Sequence, residues 1–502
     1  MDVLHNLMMG FSVALSPANL LYALTGSFLG TLIGVLPGIG PSAGCALLIP
    51  LTASLDPTGS IIMLTALFYG TQYGGTITSV LLNVPGEAAS AVTCLDGYQM
   101  AKNGRAGVAL TVSAVGSFIG GTFASICLII VAGPLTRMAL EFGPVEFFAL
   151  MLLGLSLLMG LAGKSMVKSL MMGIFGLLLA MIGMDPVRGS PRFTFGQMEL
   201  MDGIGFIPVI MGLFGLAEIL QNAEQEFPHI FQNKLSSLIP SRLDIRDSAM
   251  PVVRGTILGT LLGLVPGMTN SASSFLSYAM EKKLSKHPEN FGTGVIEGVV
   301  APETANNAHA NGALIPLFTL GIPASPTIAV IMGAFMINGL VPGPFLFKEQ
   351  PALVWGVIAS FFVGNVMLLI LNLPLIGIWV KVLKIPYSIL FTLVLAFMVV
   401  GVYGVDNSAF DVMIMLLFGL IGYILRKLDF PMAPVVLTLI LGPLMERSLR
   451  KSMEMSQGDF AILWSNPISA GLLIAAGVVL ITSTFGSRIF GRKLPEGGDD
   501  EI

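Results

Sequence analysis

Charge is what this sequence has least of. Asp, Glu, Lys and Arg make up 11% of its 502 residues, about half the share of an ordinary soluble domain. So little charge cannot keep a large surface in water, which excludes a sizeable soluble domain. Basic runs are missing too, and the formal net charge is only −4, so there is no electrostatic footprint for nucleic acid. Cysteine is rare. Cys45, Cys94 and Cys127 have neither CxxC spacing nor paired histidines, and they read as small packing residues, not as a disulfide or metal set. No GxxxxGK[ST] loop is present, so the chain has no ATP site of its own, and no cofactor is expected. The first residues lack a basic n-region, and the start is expected to be retained as a helix at the membrane interface.

Apolar residues, by contrast, reach 54%, with a mean hydropathy of +0.86. At roughly 20 residues per crossing this leaves room for about a dozen membrane spans. The 59 glycines and 30 prolines predict broken helices, which membranes accept where neighbouring helices or cavities satisfy the freed backbone groups. The expected fold is therefore an all-α polytopic membrane protein in contact with the lipid bilayer. Its longest polar stretch, residues 222–249, divides a first membrane repeat (1–221) from a second (250–486), with a polar tail at 487–502.

The halves are related. GSFLGTLIGVLPGIG (residues 26–40) and GTILGTLLGLVPGMT (residues 255–269) agree at eight of fifteen positions, including Gly26, Gly30, Gly34, Pro37 and Gly38. A looser pair surrounds Pro85 and Pro323. Pro37 and Pro266 are 229 residues apart and Pro85 and Pro323 are 238 apart, so nine residues are inserted in the second half, plausibly in EKKLSKHPEN. Lys and Arg swap loops between the halves: Lys282, Lys283 and Lys286 follow the first motif only in half two, and Lys102 and Arg105 follow the second motif in half one. Under the positive-inside rule equivalent loops then lie on opposite sides, so the repeats are expected to be inverted, with re-entrant hairpins whose tips meet near the midplane.

Those tips are the expected substrate site. Proline ends the incoming helix and glycine lets the backbone turn and a ligand approach closely. The N–H groups and positive end of the next half-helix then attract an anion. The candidates are Pro37, Gly38, Gly40 and Ser42 in half one, and Pro266, Gly267, Thr269, Asn270 and Ser271 in half two. The second motif pair adds Asn83 and Gly86, together with Gly321, Pro323, Ala324 and Ser325. Glu87, Glu303, Thr304, Asn306 and Asn307 interrupt apolar sequence with hard oxygens, and are expected to couple transport to Na⁺ or H⁺. The glycine series at 26, 30 and 34 and at 255, 259 and 263 reads as helix packing, not ligand contact. Residues 40–44, GPSAG, also satisfy GxSxG, but an intramembrane hydrolase needs Ser42 within reach of a base, and only His309 lies in a plausible span.

With these motifs read, the chain resembles a known family. The PGIGP break, residues 69–110 (YGTQYGGTITSVLLNVPGEAASAVTCLDGYQMAKNGRAGVAL) and residues 297–327 (EGVVAPETANNAHANGALIPLFTLGIPASPT) are similar to the large membrane subunit, of TctA type, of tripartite tricarboxylate transporters. The resemblance implies a non-enzymatic permease in a bacterial inner membrane, driven by an ion gradient. It also implies two partners, a small membrane subunit and a periplasmic solute-binding protein, and small carboxylate anions as substrates. A passive channel is the alternative, which uptake insensitive to an ionophore would favour.

Overall fold

The computed structural model describes residues 3–36, 38–139, 141–161, 165–185, 189–224, 238–383 and 387–489. It is helical almost throughout, apart from one two-stranded antiparallel ladder, Gly183–Met184 with Pro191–Arg192. Five helices among the described residues are long and apolar enough to cross a membrane: Pro17–Val35, Ala106–Arg137, Pro351–Asn372, Ala409–Lys427 and Pro467–Thr484. The expected dozen exceeds that number because many apolar runs are broken. Pro41–Thr52 and Pro326–Ile337, for example, are only 12 residues long.

The chain divides into two compact units, and each draws on both halves of the sequence. One contains residues 141–204 and 425–502. There Arg192 and Arg450 hold Glu446 and Asp185, with Arg192 Nη1 2.8 Å from Glu446 Oε1 and Arg450 Nη2 2.9 Å from Asp185 Oδ2.

The other unit, residues 1–140 and 205–424, holds both motifs. Its helices are α1 (Val3–Ala14), α2 (Pro17–Val35), α3 (Pro41–Thr52), α4 (Pro57–Leu82), α5 (Thr93–Lys102) and α6 (Ala106–Ala139). They continue with α7 (Ala217–Asn222), α8 (Arg242–Gly263), α9 (Asn270–Leu284), α10 (Glu297–Gly312), α11 (Leu314–Leu320), α12 (Pro326–Ile337) and α13 (Pro351–Asn372). Local chemistry sets their starts. Ser16, Asp56, Thr269 and Ser325 each accept a backbone N–H of the first turn, and proline stands at the first helical position of α2, α3, α4, α12 and α13.

Part of the expected polar loop at 222–249 is helical. Ser241 and Asp244 form a capping box that starts α8 at Arg242, so its last eight residues belong to a helix, while 225–237 lie outside the described residues. Arg105 pairs with Asp244. Burial works against the ionised carboxyl, but the Ser241 amide and hydroxyl together with Arg105 outweigh it and hold Asp244 below the usual carboxylate range. Lys102 lies 4.7 Å from the centre of the Tyr98 ring.

The glycine series sets the packing of both halves. A Cβ on Gly26, Gly30 or Gly34 of α2 would fall 2.2 to 2.3 Å from the carbonyl oxygens of Met63, Leu67 and Thr71 on α4. On Gly255, Gly259 or Gly263 of α8 it would fall 2.2 to 2.7 Å from those of Ala301, Ala305 and His309 on α10. No side chain fits at such separations, so glycine lets the two backbones touch. Each contact spans 37 residues in half one and 46 in half two, and the difference is the same nine residues that separate the motif offsets. Because α3 and α9 start 229 residues apart while α4 and α10 start 240 apart, the extra length lies between the hairpin and the helix it packs on.

Candidate functional site

Both proline-glycine breaks are real interruptions of the chain. Gly38 and Gly267 have φ of +91° and +90°, a region in which a side chain is strained. Pro37 lies outside the described residues; Pro266 opens the second turn. After the breaks, α3 and α9 begin at equivalent places, with Ser42 and Ser271 each at the second helical position. Arg254 on α8 pairs in bidentate fashion with the buried Glu281 on α9, with Nε 2.9 Å from Oε2, which brings the two limbs of the second hairpin together away from its tip.

The two tips end on one segment. Gly267 N–H donates to the Ala324 carbonyl at 2.9 Å, and Ser42 Oγ lies 2.9 Å from Thr327 Oγ1. Residues 321–327 are the second motif of half two, where Gly321 ends α11 in the left-handed region and Ser325 caps α12. Asn83 and Glu87 repeat that arrangement in half one. Asn83 ends α4 at φ 57°, and Glu87 caps the short turn Ala88–Ala91. Pro323 and Ala324 are buried. Gly86 is wedged against backbone, since a Cβ there would meet the Gly34 carbonyl oxygen at 2.0 Å, so its role is packing.

A polar chain runs from the second tip into the interior. Asn270 Nδ2 donates to Gln72 Oε1 at 3.3 Å and to Asn306 Oδ1 at 3.0 Å, and Asn306 Nδ2 donates to Glu87 Oε1 at 2.7 Å. One turn back on α10, the fully buried Glu303 accepts from Thr76 Oγ1 at 2.6 Å and from Thr93 Oγ1 at 2.5 Å. Asn307 donates to Ser117 Oγ at 2.8 Å, while its Oδ1 and the Thr304 hydroxyl are buried without partners. Among the described residues neither Glu87 nor Glu303 has a basic partner. Thr269 caps α9, and Ser271 is half-buried.

The expected hydrolase pair is not formed. Ser42 meets Thr327, and His309 Nδ1 meets Ser273 Oγ at 2.7 Å instead. The partners of the first tip were not legible in the sequence. Gly40 N–H donates to Glu218 Oε1 at 2.7 Å, and Asn222 Nδ2 donates to the Gly38 carbonyl, so α7 lies over the tip of half one. Because no Lys or Arg occurs at residues 26–50, a carboxylate is the group that the positive end of α3 attracts. The four-residue spacing of Glu218 and Asn222, one helical face at the polar end of an apolar run, was the available signal. Thr76 and Thr93, which carry Glu303, offered none beyond being hydroxyls in apolar sequence.

The model of the family described as "Tripartite tricarboxylate transporter TctA family" matches residues 20–437. An Agrobacterium vitis protein described as "Uncharacterized 52.8 kDa protein in TAR-I ttuC' 3'region" is 49% identical over 482 residues, covering 96% of either chain. A second from that organism, "Uncharacterized protein in TAR-II ttuC' 3'region", is 51% identical over 215 residues, which are 43% of this chain and 89% of that one. No solved structure matches.

Proposed function

From the premise that this chain belongs to the tripartite tricarboxylate transporter TctA family, and so is the large, multi-pass membrane subunit of a transport system, we propose that it imports small di- or tricarboxylates across a bacterial inner membrane. A Na⁺ or H⁺ gradient drives the step, a periplasmic solute-binding protein delivers the substrate, and a small membrane subunit completes the assembly. The observation that carries this reading is that both broken hairpins end on residues 321–327. A multiply charged anion at membrane depth needs positive potential, yet residues 26–50 and 256–280 contain no Lys or Arg. The N-termini of α3 and α9, worth roughly half an elementary charge each, supply it together with their free N–H groups and the hydroxyls of Ser42 and Ser271.

In this mechanism substrate carboxylate takes over the Gly40 N–H from Glu218. Glu87, Glu303, Thr304, Asn306 and Asn307 bind the coupling ion and report it to the second tip through Asn270. The halves are inverted, so each tip is entered from its own side of the bilayer. From Arg254 to the end of α8 is nine residues, about 14 Å at the helical rise and close to half of a ~30 Å hydrocarbon layer, which suits a tip at the midplane.

The test is Gly38→Val and Gly267→Val, which forbid the left-handed turns without removing charge. Each should abolish carboxylate uptake in vesicles with the partner proteins present, while the chain still inserts and assembles. Normal uptake by both variants would put the anion elsewhere.

A further inference from the structure

Beside Glu303 the interior holds a cavity of about 10 Å³ lined by Tyr73 and Thr76 of α4, Ser113 of α6 and Asn372 at the end of α13, with Ile77, Leu110 and Ala114 completing the wall. That is room for one water-sized particle. Its polar groups have their hydrogens committed elsewhere. Thr76 Oγ1 donates to Glu303 Oε2 at 2.6 Å, Tyr73 OH donates to Asn365 Oδ1 at 2.7 Å, and Asn372 Nδ2 donates to the Leu368 carbonyl at 2.8 Å. The amide orientation of Asn365 is fixed independently, because its Nδ2 donates to the Phe118 carbonyl at 2.9 Å. What remains for the cavity is lone pairs. Asn372 Oδ1 is buried and has no partner, and Asn372 as a whole is 4% exposed.

Such a cavity selects by charge. A water donates only two hydrogen bonds and wants donors in return, and here only the Ser113 hydroxyl is free to rotate toward it. A cation needs only oxygen lone pairs, and hard cations take them. The anionic charge is one hydroxyl away, on a carboxylate that is 1% exposed and that has only hydroxyl donors as its side-chain partners; an unpaired buried charge is costly. The other oxygens at the cavity are neutral, and among the described residues no group of three or more His, Cys, Asp or Glu side chains stands ready for a metal. This balance fits one positive charge and not two. A proton cannot be the occupant, because amide and hydroxyl oxygens do not hold one at neutral pH.

We propose that this cavity is a Na⁺ site, with Thr76, Ser113 and Asn372 as oxygen ligands and Glu303 as the counter-charge acting through Thr76. It rests on the transporter reading for its purpose, since it makes Na⁺ the coupling ion, but not for its chemistry. Thr76 then ties the ion to the network. The helix that carries it also carries Gln72, which meets Asn270 at the second tip, so filling the cavity stiffens the wall against which that tip rests.

The experiment follows Na⁺ binding without any substrate. The purified full-length chain is unfolded thermally in lipid nanodiscs while NaCl replaces KCl or N-methylglucamine chloride at constant ionic strength. The midpoint should rise saturably with Na⁺ and not with K⁺. Asn372→Ala and Ser113→Ala should each raise the half-saturating Na⁺ concentration at least tenfold. A wild-type midpoint indifferent to Na⁺ identifies a water cavity and overturns the proposal, as does a Na⁺ response unchanged in both variants. The wild-type comparison needs neither variant to fold. Carboxylate uptake that persists with no Na⁺ response sinks the site but not the transporter reading. A Na⁺ response in a chain that transports no carboxylate does the reverse.

Discussion

Glu218→Gln is the perturbation that bears most directly on the anion site. The wild-type carboxylate accepts the Gly40 N–H at 2.7 Å, at the positive end of α3, where substrate must bind if the proposal holds. It is a resident competitor. A hydrogen bond to a charged group is worth about 1.5 to 3 kcal/mol and one between neutral groups about 0.5 to 1.5, so the amide, of nearly the same shape, weakens the competitor by about 1 to 1.5 kcal/mol. Competition converts that difference into substrate affinity at a factor of ten per 1.4 kcal/mol. The dissociation constant for a carboxylate such as citrate should fall about five- to tenfold. The assay is equilibrium binding of labelled citrate to the purified membrane subunit, without the binding protein, so that selection upstream does not mask the change. Unchanged or weaker binding by a folded Glu218→Gln protein would refute the reasoning, because Glu218 would then be support for the tip and not a stand-in for substrate.

Three further outcomes follow from the same geometry. Glu303→Gln removes the charge that Thr76 and Thr93 address and should weaken the dependence of uptake on the ion gradient; unchanged ion dependence in vesicles removes Glu303 from coupling. Asp96, fully buried, accepts the N–H groups of Gly292, Gly294 and Val295 at 2.8 to 3.0 Å on one oxygen and the Tyr278 hydroxyl at 2.9 Å on the other. Asp96→Asn should therefore cost on the order of 2 to 3 kcal/mol in unfolding experiments and raise amide exchange at those three residues, and full stability would contradict this latch. Single cysteines near Thr58 and near Lys283 should label from opposite faces of the membrane, and labelling of both from one face rejects inverted halves.

Much of the packing was legible because it depends on what is missing from a side chain. Gly26, Gly30 and Gly34 and their counterparts at 255, 259 and 263 sit where a carbonyl of the neighbouring helix occupies the Cβ position, and a requirement for no side chain can be read whatever the partner. The positive φ at Gly38 and Gly267 and the capped starts of α3 and α9 were legible for a similar reason, since turns and caps are settled within a few residues. The nine-residue insertion came through as arithmetic on motif offsets. The expected dozen spans were overstated because hydropathy counts apolar residues and not unbroken helix, and Pro41, Pro266 and Pro326 divide the runs.

The contents of the sites were decided by the tertiary structure alone. A helix N-terminus announces in sequence that it attracts an anion, but not which one. Glu218 reaches Gly40 across 178 residues, and Thr76 and Thr93 reach Glu303 across 227 and 210. Local sequence determined each half-helix and its polarity because those arise from backbone dipoles and near-neighbour caps. Pairing a buried carboxylate with particular hydroxyls depends on which helices touch, and glycines fix how closely two helices approach without naming what their other faces meet.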